Sequence, residues 1–92
     1  MEKQALIDNT ERHRFEMIED GKMVFGDYRI EDGIMTLPYV EADPLLRGTG
    51  AAGRFMAAVL DLAKERGLKV VPICSYAMTY FQRHPEYHDL LA

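Results

Sequence analysis

The chain is poor in cysteine and has no long apolar stretch. Cys74 is the only cysteine among the 92 residues, so no disulfide can form within the chain. Disulfides are typical of small secreted domains, and we therefore expect a reducing, cytoplasmic location. The longest apolar run, residues 55–60, is far shorter than the roughly 20 residues that a membrane-spanning helix needs. Residues 1–5 carry charge where a secretion signal needs its apolar stretch, so we expect no signal peptide and, given the short apolar run, no membrane partner.

Basic residues are neither abundant nor clustered. The chain has 11 Lys and Arg residues against 15 Asp and Glu residues, which gives a formal net charge of −4. Nucleic-acid binders concentrate positive charge to neutralise phosphates, so we expect no nucleic-acid partner. The 3 histidines are dispersed and do not have the spacing of metal ligands with the single cysteine, so we expect no metal site. This charge balance is compatible with a small or cationic partner.

The first half of the sequence has the pattern of antiparallel strands. Apolar and polar residues alternate through residues 14–40, as expected for strands that bury one face. Two Asp-Gly pairs, Asp20-Gly21 and Asp32-Gly33, interrupt this alternation. Such pairs readily adopt the positive φ angles of hairpin turns. We therefore predict a meander of antiparallel strands.

The second half changes to a helical period. Apolar residues at a spacing of 3.6 through residues 52–63 predict an amphipathic helix. Residues 70–73, which include Ile73, predict a buried strand, and residues 75–83 predict a second helix. Strand, helix and strand in this order form a βαβ unit with two parallel strands. We therefore predict a single α/β (α+β) domain over residues 1–92, with a twisted mixed sheet, antiparallel first and then parallel, and a C-terminal helix.

Pro38 interrupts the last strand of the meander. Proline donates no hydrogen bond to a sheet, so it belongs at a sheet edge, at a strand end or in a bulge. An edge position is one interpretation. The other is a bulge that parts the strand from its neighbour and leaves backbone groups free for a ligand. The sequence leaves both open.

The most informative segment is the glycine-rich stretch that opens the first predicted helix. Small residues let the backbone approach a ligand, and the first N–H groups of a helix have no partners within it. Together with the helix dipole they favour an anion, and an arginine at each end of the stretch suits phosphate oxygens. A loop that merely turns the chain is the alternative. The expected phosphate-binding residues are Arg47, Gly48, Thr49, Gly50, Ala51, Ala52, Gly53 and Arg54.

Two common phosphate-binding patterns fit this stretch poorly. Gly48, Gly50 and Gly53 formally satisfy G-x-G-x-x-G, but the dinucleotide-binding fold needs more strands than this chain can supply. No Asp or Glu stands at the end of the strand at residues 70–74 to bind a ribose. A P-loop is excluded because the G-K-[ST] ending is absent.

The stretch resembles a known family of enzymes. Arg47-x-x-Gly50-x-Ala52 fits the Q/R-x-x-G-x-G/A pyrophosphate loop of the Gcn5-related N-acetyltransferases. The likeness is closer to their compact single-domain branch and covers about residues 12–90, because several motifs follow one another as they do in that branch. These motifs are R-G-T-G-A-A-G at residues 47–53, G-L-K-V-V-P at residues 67–72, Cys74, and R-H-P-E-Y at residues 83–87.

The resemblance implies acetyl-coenzyme A as the cofactor and a primary amine of a small molecule or protein as the acceptor. Coenzyme A would enter where the two parallel strands splay apart, next to Val40, Cys74 and Tyr80. A non-catalytic coenzyme A-binding or regulatory module and a protein-interaction domain without a ligand are the alternative functions. The chain lacks the helices that larger relatives place between their first strands. We therefore expect an acceptor site that is open or completed by another subunit, in a monomer or weak dimer.

Three side chains are candidates for the chemistry. Acetyl transfer needs a polarised carbonyl, a deprotonated amine and a proton for the departing thiolate. Cys74 is either a nucleophile that carries the acetyl group or a small residue beside the cofactor. Tyr76, Tyr80 and Tyr87 are available to protonate the thiolate, and Tyr80 is our preferred proton donor, although aromatic residues at helical spacing also suit a core. Tyr39 and Val40 stand where this branch commonly has histidine and threonine, and Tyr39 can donate a hydrogen bond but cannot replace a base near neutral pH.

Overall fold

One sheet of five strands forms the framework, and its strands lie in the order in which they occur in the chain. The structure is a computed structural model and describes residues 5–92. The strands are β1 (Ile7–Asn9), β2 (Arg14–Glu19), β3 (Lys22–Glu31), β4 (Ile34–Ala42) and β5 (Lys69–Pro72). Strands β1 to β4 pair antiparallel, whereas β5 pairs parallel to β4. The predicted mixed sheet is confirmed.

Two α-helices connect and follow the parallel strands. Helix α1 (Ala51–Glu65) joins β4 to β5, and helix α2 (Ser75–Arg83) follows β5, so the predicted βαβ order and C-terminal helix are confirmed. Short 3-10 segments lie at Pro44–Leu46, before α1, and at Pro85–Leu90, after α2. Within residues 5–92, no helix is long and apolar enough to cross a membrane.

Both predicted hairpin turns form at the Asp-Gly pairs. The φ angles are 50° and 71° at Asp20 and Gly21, and 52° and 78° at Asp32 and Gly33. Two successive positive φ angles produce the tight turn whose twist matches that of the flanking strands. These turns set the register of β2 with β3 and of β3 with β4.

Helix α1 packs its apolar side on one face of the sheet. A close approach occurs at Gly26 in β3, where a Cβ atom would lie 3.1 Å from the ring of Phe55 and 3.2 Å from Val40. Ile18 and Met23, on the opposite face, are 42% and 37% exposed. The core therefore lies between the helices and one face of the sheet. Its largest fully buried side chains are Phe15, Phe55, Met17, Met35, Leu37, Met56, Leu60, Val24, Val59 and Val70.

Strand β4 contains a bulge next to Pro38. Asp27 of β3 pairs with Tyr39, but beyond this pair the register shifts by one residue, so β4 has one extra residue at Leu37-Pro38. Because β4 pairs with β3 on one side and β5 on the other, it is an inner strand. The bulge interpretation of Pro38 is therefore confirmed, and the edge interpretation is wrong.

Strands β4 and β5 separate at the bulge. Their pairing ends with Leu37 opposite Pro72, and the N–H groups of Ile73 and Cys74 both donate to the carbonyl oxygen of Leu37, at 3.1 and 3.2 Å. We call this point the fork. The prediction of a buried strand through Ile73 is wrong, because β5 ends at Pro72 and Ile73 is 54% exposed. Pro72, the last residue of β5, has no N–H group that could donate a hydrogen bond to a neighbouring strand.

Candidate active site

A cleft of about 470 Å³ opens where β4 continues past the fork. The second half of β4 forms one wall, and the glycine-rich stretch with the first turn of α1 forms another. The start of α2 also contributes to the cleft. Its lining residues are Tyr39, Val40, Glu41, Ala42, Leu46, Arg47, Gly48, Gly50, Ala51, Ala52, Gly53 and Tyr76. The structure thus brings β4 and most of the predicted phosphate-binding residues to one site.

The loop before α1 requires glycine at two positions. Gly48 and Gly50 have φ angles of 78° and 82°, and Gly50 is the N-cap residue of α1. A residue with a Cβ atom is strained in this left-handed conformation. Thr49, between them, donates its hydroxyl hydrogen to the carbonyl oxygen of Leu46. The loop is therefore held by its own hydrogen bond while its glycines line the cleft.

The first turn of α1 presents backbone donors to the cleft. The N–H group of Ala51 donates to the hydroxyl oxygen of Thr49 at 3.2 Å. The N–H groups of Ala52 and Gly53 have no acceptor within residues 5–92, and both residues line the cleft. This turn contains no acidic side chain. Free N–H groups at the positive end of a helix dipole form a site for an anion.

Gly53, in the first turn of α1, has open space where a side chain would lie. A Cβ atom there would meet Tyr80, at 3.9 Å, which is an ordinary contact distance. Glycine within a helix costs about 1 kcal/mol relative to alanine. The packing of the described residues therefore does not require glycine at this position. The space that it leaves adjoins the cleft.

The two arginines of the glycine-rich stretch differ in their surroundings. Arg47 is exposed on the cleft and has no ion-pair partner within residues 5–92. Arg54 lies outside the cleft lining, and its Nε and Nη2 atoms donate to both oxygens of Glu19, at 2.8 and 2.7 Å. Glu19 is buried, and the hydrogen bond from Arg54 holds the pKa of its carboxyl below the usual value. Arg47 is thus a free cation on the cleft, whereas Arg54 ties α1 to the end of β2.

Two polar side chains of β4 form a pair on the cleft wall. The hydroxyl of Tyr39 donates to the carboxylate of Glu41, two residues further along the same face of the strand. This hydrogen bond is the main reason that the pKa of Tyr39 is raised. Tyr39 therefore keeps its proton near neutral pH, and both residues of the pair belong to the lining of the cleft.

Tyr76, in the first turn of α2, lines the cleft. It is 37% exposed. Burial is the main cause that raises its pKa, and the charge of Arg83 opposes this effect. A tyrosine hydroxyl is protonated near neutral pH and can therefore donate a proton.

The other two candidate residues lie beside the cleft rather than on its wall. Cys74 is half-buried at the fork, and its Sγ atom accepts a hydrogen bond from the N–H group of Ala77 at 3.3 Å, so it caps α2. Tyr80 is buried, and its ring stacks on His84 with a centroid separation of 4.0 Å. Burial raises the pKa of Tyr80 to about 12.

Sequence reasoning missed part of the cleft lining. Glu41, Ala42 and Leu46 line the cleft and were not among the predicted site residues. Tyr76 also lines the cleft, whereas the preferred candidate Tyr80 does not. Strand alternation from Tyr39 could have indicated Glu41, because residues two apart share a face. Tyr76 and Tyr80 are four residues apart and share one side of α2, so their spacing alone cannot distinguish them.

Comparison with known proteins identifies the family. Residues 14–90 match the family described as GCN5-related N-acetyl-transferase. No curated protein matches the chain. Among solved structures, the chain is similar to the NMR solution structure of a candidate GCN5-like N-acetyltransferase from Staphylococcus aureus, with a TM-score of 0.76 and 20% identity, over 100% of this chain and 91% of that one. This likeness shows the fold. Because the family match covers most of its length, the chain belongs to the GCN5-related N-acetyltransferases, enzymes of acetyl transfer.

Proposed function

We propose that the cleft binds acetyl-coenzyme A and that the protein transfers the acetyl group to a primary amine. The observation that carries the proposal is the pair of free N–H groups at Ala52 and Gly53, with the free cation Arg47 on the same cleft. A pyrophosphate supplies the acceptor oxygens and the negative charge that these groups favour. The predicted ligands Gly48, Gly50 and Ala51 complete the loop around it.

Strand β4 offers the remaining binding groups. Past the fork, residues 39–42 pair with β3 on one side and have no strand on the other within residues 5–92. Their backbone groups on that side are free to bind the amide groups of the pantetheine arm. Val40 packs against the core and lines the cleft, so it provides an apolar contact for the arm.

The side chains of the cleft suit direct transfer of the acetyl group. Bound acetyl-coenzyme A supplies a thioester carbonyl that an amine can attack. Glu41 accepts the proton that the amine loses, directly or through one water molecule. Tyr76 donates a proton to the sulfur when the C–S bond breaks, because a tyrosine hydroxyl is protonated near neutral pH. Tyr39 orients the carboxylate of Glu41 through its hydrogen bond.

Tyr80 and Cys74 have secondary roles in this proposal. Tyr80 packs beside the Gly53 backbone and is the second candidate for proton donation. Cys74 lies at the fork, but its sulfur already accepts the capping hydrogen bond of α2. We therefore assign Cys74 to holding the start of α2 rather than to carrying an acetyl group.

The location, oligomeric state and partners of the protein are also part of the proposal. A cytoplasmic location fits the single, half-buried cysteine. The net charge of −4 and the dispersed basic residues argue against a nucleic-acid partner. We also propose a monomer or weak dimer without a membrane partner. Sedimentation of the purified chain with and without coenzyme A measures the oligomeric state.

An acetylation assay tests the function. We expect the purified chain to consume acetyl-coenzyme A with at least one member of a panel of amines. Gly50→Glu places bulk and negative charge at the anion site. We therefore expect the affinity for coenzyme A to fall about 100-fold or more, which corresponds to about 1.4 kcal/mol of binding free energy for each tenfold. The control Gly21→Glu also has a positive φ, of 71°, but lies in the distant β2–β3 turn with nothing within 4 Å of its Cβ position.

Three outcomes are distinguishable. Turnover that Gly50→Glu abolishes and Gly21→Glu retains supports the proposal. Binding of coenzyme A without turnover on any amine supports a non-catalytic module instead. Absence of coenzyme A binding contradicts the proposal as a whole.

A further inference from the structure

A second cavity, of about 580 Å³, reaches the bulge of β4, and its lining residue Pro38 directly precedes the cleft residue Tyr39. Pro38 lines this cavity and Tyr39 lines the cleft, and the Cα atoms of adjacent residues are about 3.8 Å apart. The other walls come from β3 and from the segment before β2. The lining residues are Arg12, His13, Asp27, Tyr28, Arg29, Ile30, Glu31 and Pro38.

The charged residues of β3 have a fixed order from the bulge outwards. Asp27 is nearest, because it is the register partner of Tyr39. Arg29 and then Glu31 follow on the same face, since side chains alternate along a strand, and each step of two residues covers about 7 Å. Asp27 is therefore the charged residue of β3 nearest the bulge, and the Cα atoms of Asp27 and Arg29 are about 7 Å apart.

Two cations of this cavity have no partner. Neither Arg12 nor Arg29 forms an ion pair within residues 5–92, whereas Asp27 is paired with Arg14 at 3.3 Å. The hydroxyl of Tyr28 donates to Asp8 and is not available. Glu31 forms no ion pair within residues 5–92 either, so the unpaired charges of the cavity are two cations and one carboxylate, in a chain whose net charge is −4. Guanidinium groups bind carboxylates through paired, charge-assisted hydrogen bonds.

We propose that this cavity holds the acceptor and that the acceptor is a small α-amino acid. Its amine points to the bulge on the side of Asp27, and its carboxylate contacts Arg29 and Arg12. This inference rests on the proposed function, because the amine must reach an acetyl group held at the fork.

The test compares an α-amino acid with its carboxamide. Alanine and alaninamide share the reacting amine, but only alanine has a carboxylate. We expect kcat/KM, expressed per unprotonated amine, to be about tenfold or more higher for alanine, as expected for a charge-assisted hydrogen bond. Arg29→Gln should raise KM for alanine by about tenfold and leave alaninamide and the Kd for coenzyme A unchanged. The control Lys64→Gln removes one positive charge at the end of α1 and should change none of these values.

A second measurement does not depend on turnover. Titration with N-acetylalanine should shift the NMR signals of Arg12 and Arg29, and Arg29→Gln should weaken this binding. Equal kcat/KM for alanine and alaninamide, an equal rise of KM for both in Arg29→Gln, or no shift at these arginines overturns the assignment. If the proposed function itself is wrong, the unmodified chain will not bind coenzyme A. This outcome is distinct from those that concern alanine.

Discussion

Gly26 faces helix α1 from strand β3, and Gly53 lies within α1. The two glycines differ in how closely neighbouring atoms approach them. At Gly26, a Cβ atom would lie 3.1 Å from the ring of Phe55 and 3.2 Å from Val40, and both neighbours belong to packed elements. At Gly53, a Cβ atom would meet Tyr80 at 3.9 Å, an ordinary contact. The first glycine is therefore tightly packed against its neighbours, whereas the second leaves space beside the cleft.

Alanine substitutions should separate these two roles. Gly26→Ala should lower the free energy of unfolding by about 1–3 kcal/mol, because the added methyl group overpacks the core. Gly53→Ala, as the matched control, should raise it by about 0.5–1 kcal/mol through helix propensity. Urea unfolding measures both values. A change of the same sign in the two variants would contradict the packing described for Gly26.

The ion pair between Glu19 and Arg54 should make stability depend on pH. The pKa of Glu19 is lowered in the folded protein, chiefly by the hydrogen bond from Arg54. Its contribution is therefore present above the unfolded-state pKa of about 4.3 and is lost as pH falls through the folded-state pKa. We expect Glu19→Gln to be less stable than the unmodified protein at pH 7, with a difference that shrinks below about pH 4.

Urea unfolding across this pH range checks the expectation. Glu65→Gln, on the exposed surface of α1, is the control and should differ little from the unmodified protein at pH 7. A destabilisation by Glu19→Gln that is the same at pH 3.5 and pH 7 would show that the charge of Glu19 is not its cause.

At the scale of elements, the start of α2 depends on Cys74. Its Sγ atom accepts the hydrogen bond of the Ala77 N–H group, a role that serine performs well at helix N-termini. Cys74→Ser should therefore retain stability and most acetyl transfer, whereas Cys74→Ala should lower stability by about 0.5–2 kcal/mol. Unfolding curves and initial rates measure both variants. A Cys74-dependent acetyl adduct in intact-mass spectra, with loss of turnover in Cys74→Ser, would show that the residue carries the acetyl group.

Elements specified by local patterns were predictable from the sequence. The Asp-Gly turns, the meander and α1 depend on backbone preferences and on hydrophobic period over neighbouring residues. The bulge at Pro38 could not be decided, because proline suits an edge as well as a bulge until the neighbouring strands are known. The end of β5 before Ile73 was missed for the same reason, since an apolar residue does not show whether its strand has a partner.

The part of the candidate site that lies in one continuous segment was predictable from the sequence. The part that depends on how distant segments pack together was not. The glycine-rich stretch was recognisable because its conformation and its free donors belong to one helix start. The pairing of Arg54 with Glu19, 35 residues earlier, has no local signal. The rotation of α2, which places Tyr76 on the cleft and Tyr80 behind Gly53, depends on how the helix packs against α1.

At the scale of the whole molecule, two binding features lie close together along the chain. Strand β4 separates from β5 at the fork, continues along the cleft and leads through the short segment Pro44–Leu46 into α1. The strand that offers free backbone groups and the helix that offers free N–H groups thus form adjoining walls. This arrangement supports the central claim that one extended ligand, with a phosphate end and a pantetheine end, occupies the cleft.

Backbone amide chemical shifts measured by NMR during titration with coenzyme A, and separately with pantetheine, test this claim most directly. Pantetheine has the same arm but no pyrophosphate. We predict that coenzyme A shifts the amides of residues 39–42 and 48–53, with the largest changes at Ala52 and Gly53, and that pantetheine shifts those of residues 39–42 alone. Shifts at Ala52 and Gly53 that pantetheine reproduces, or coenzyme A shifts that lie outside the cleft, would contradict the account.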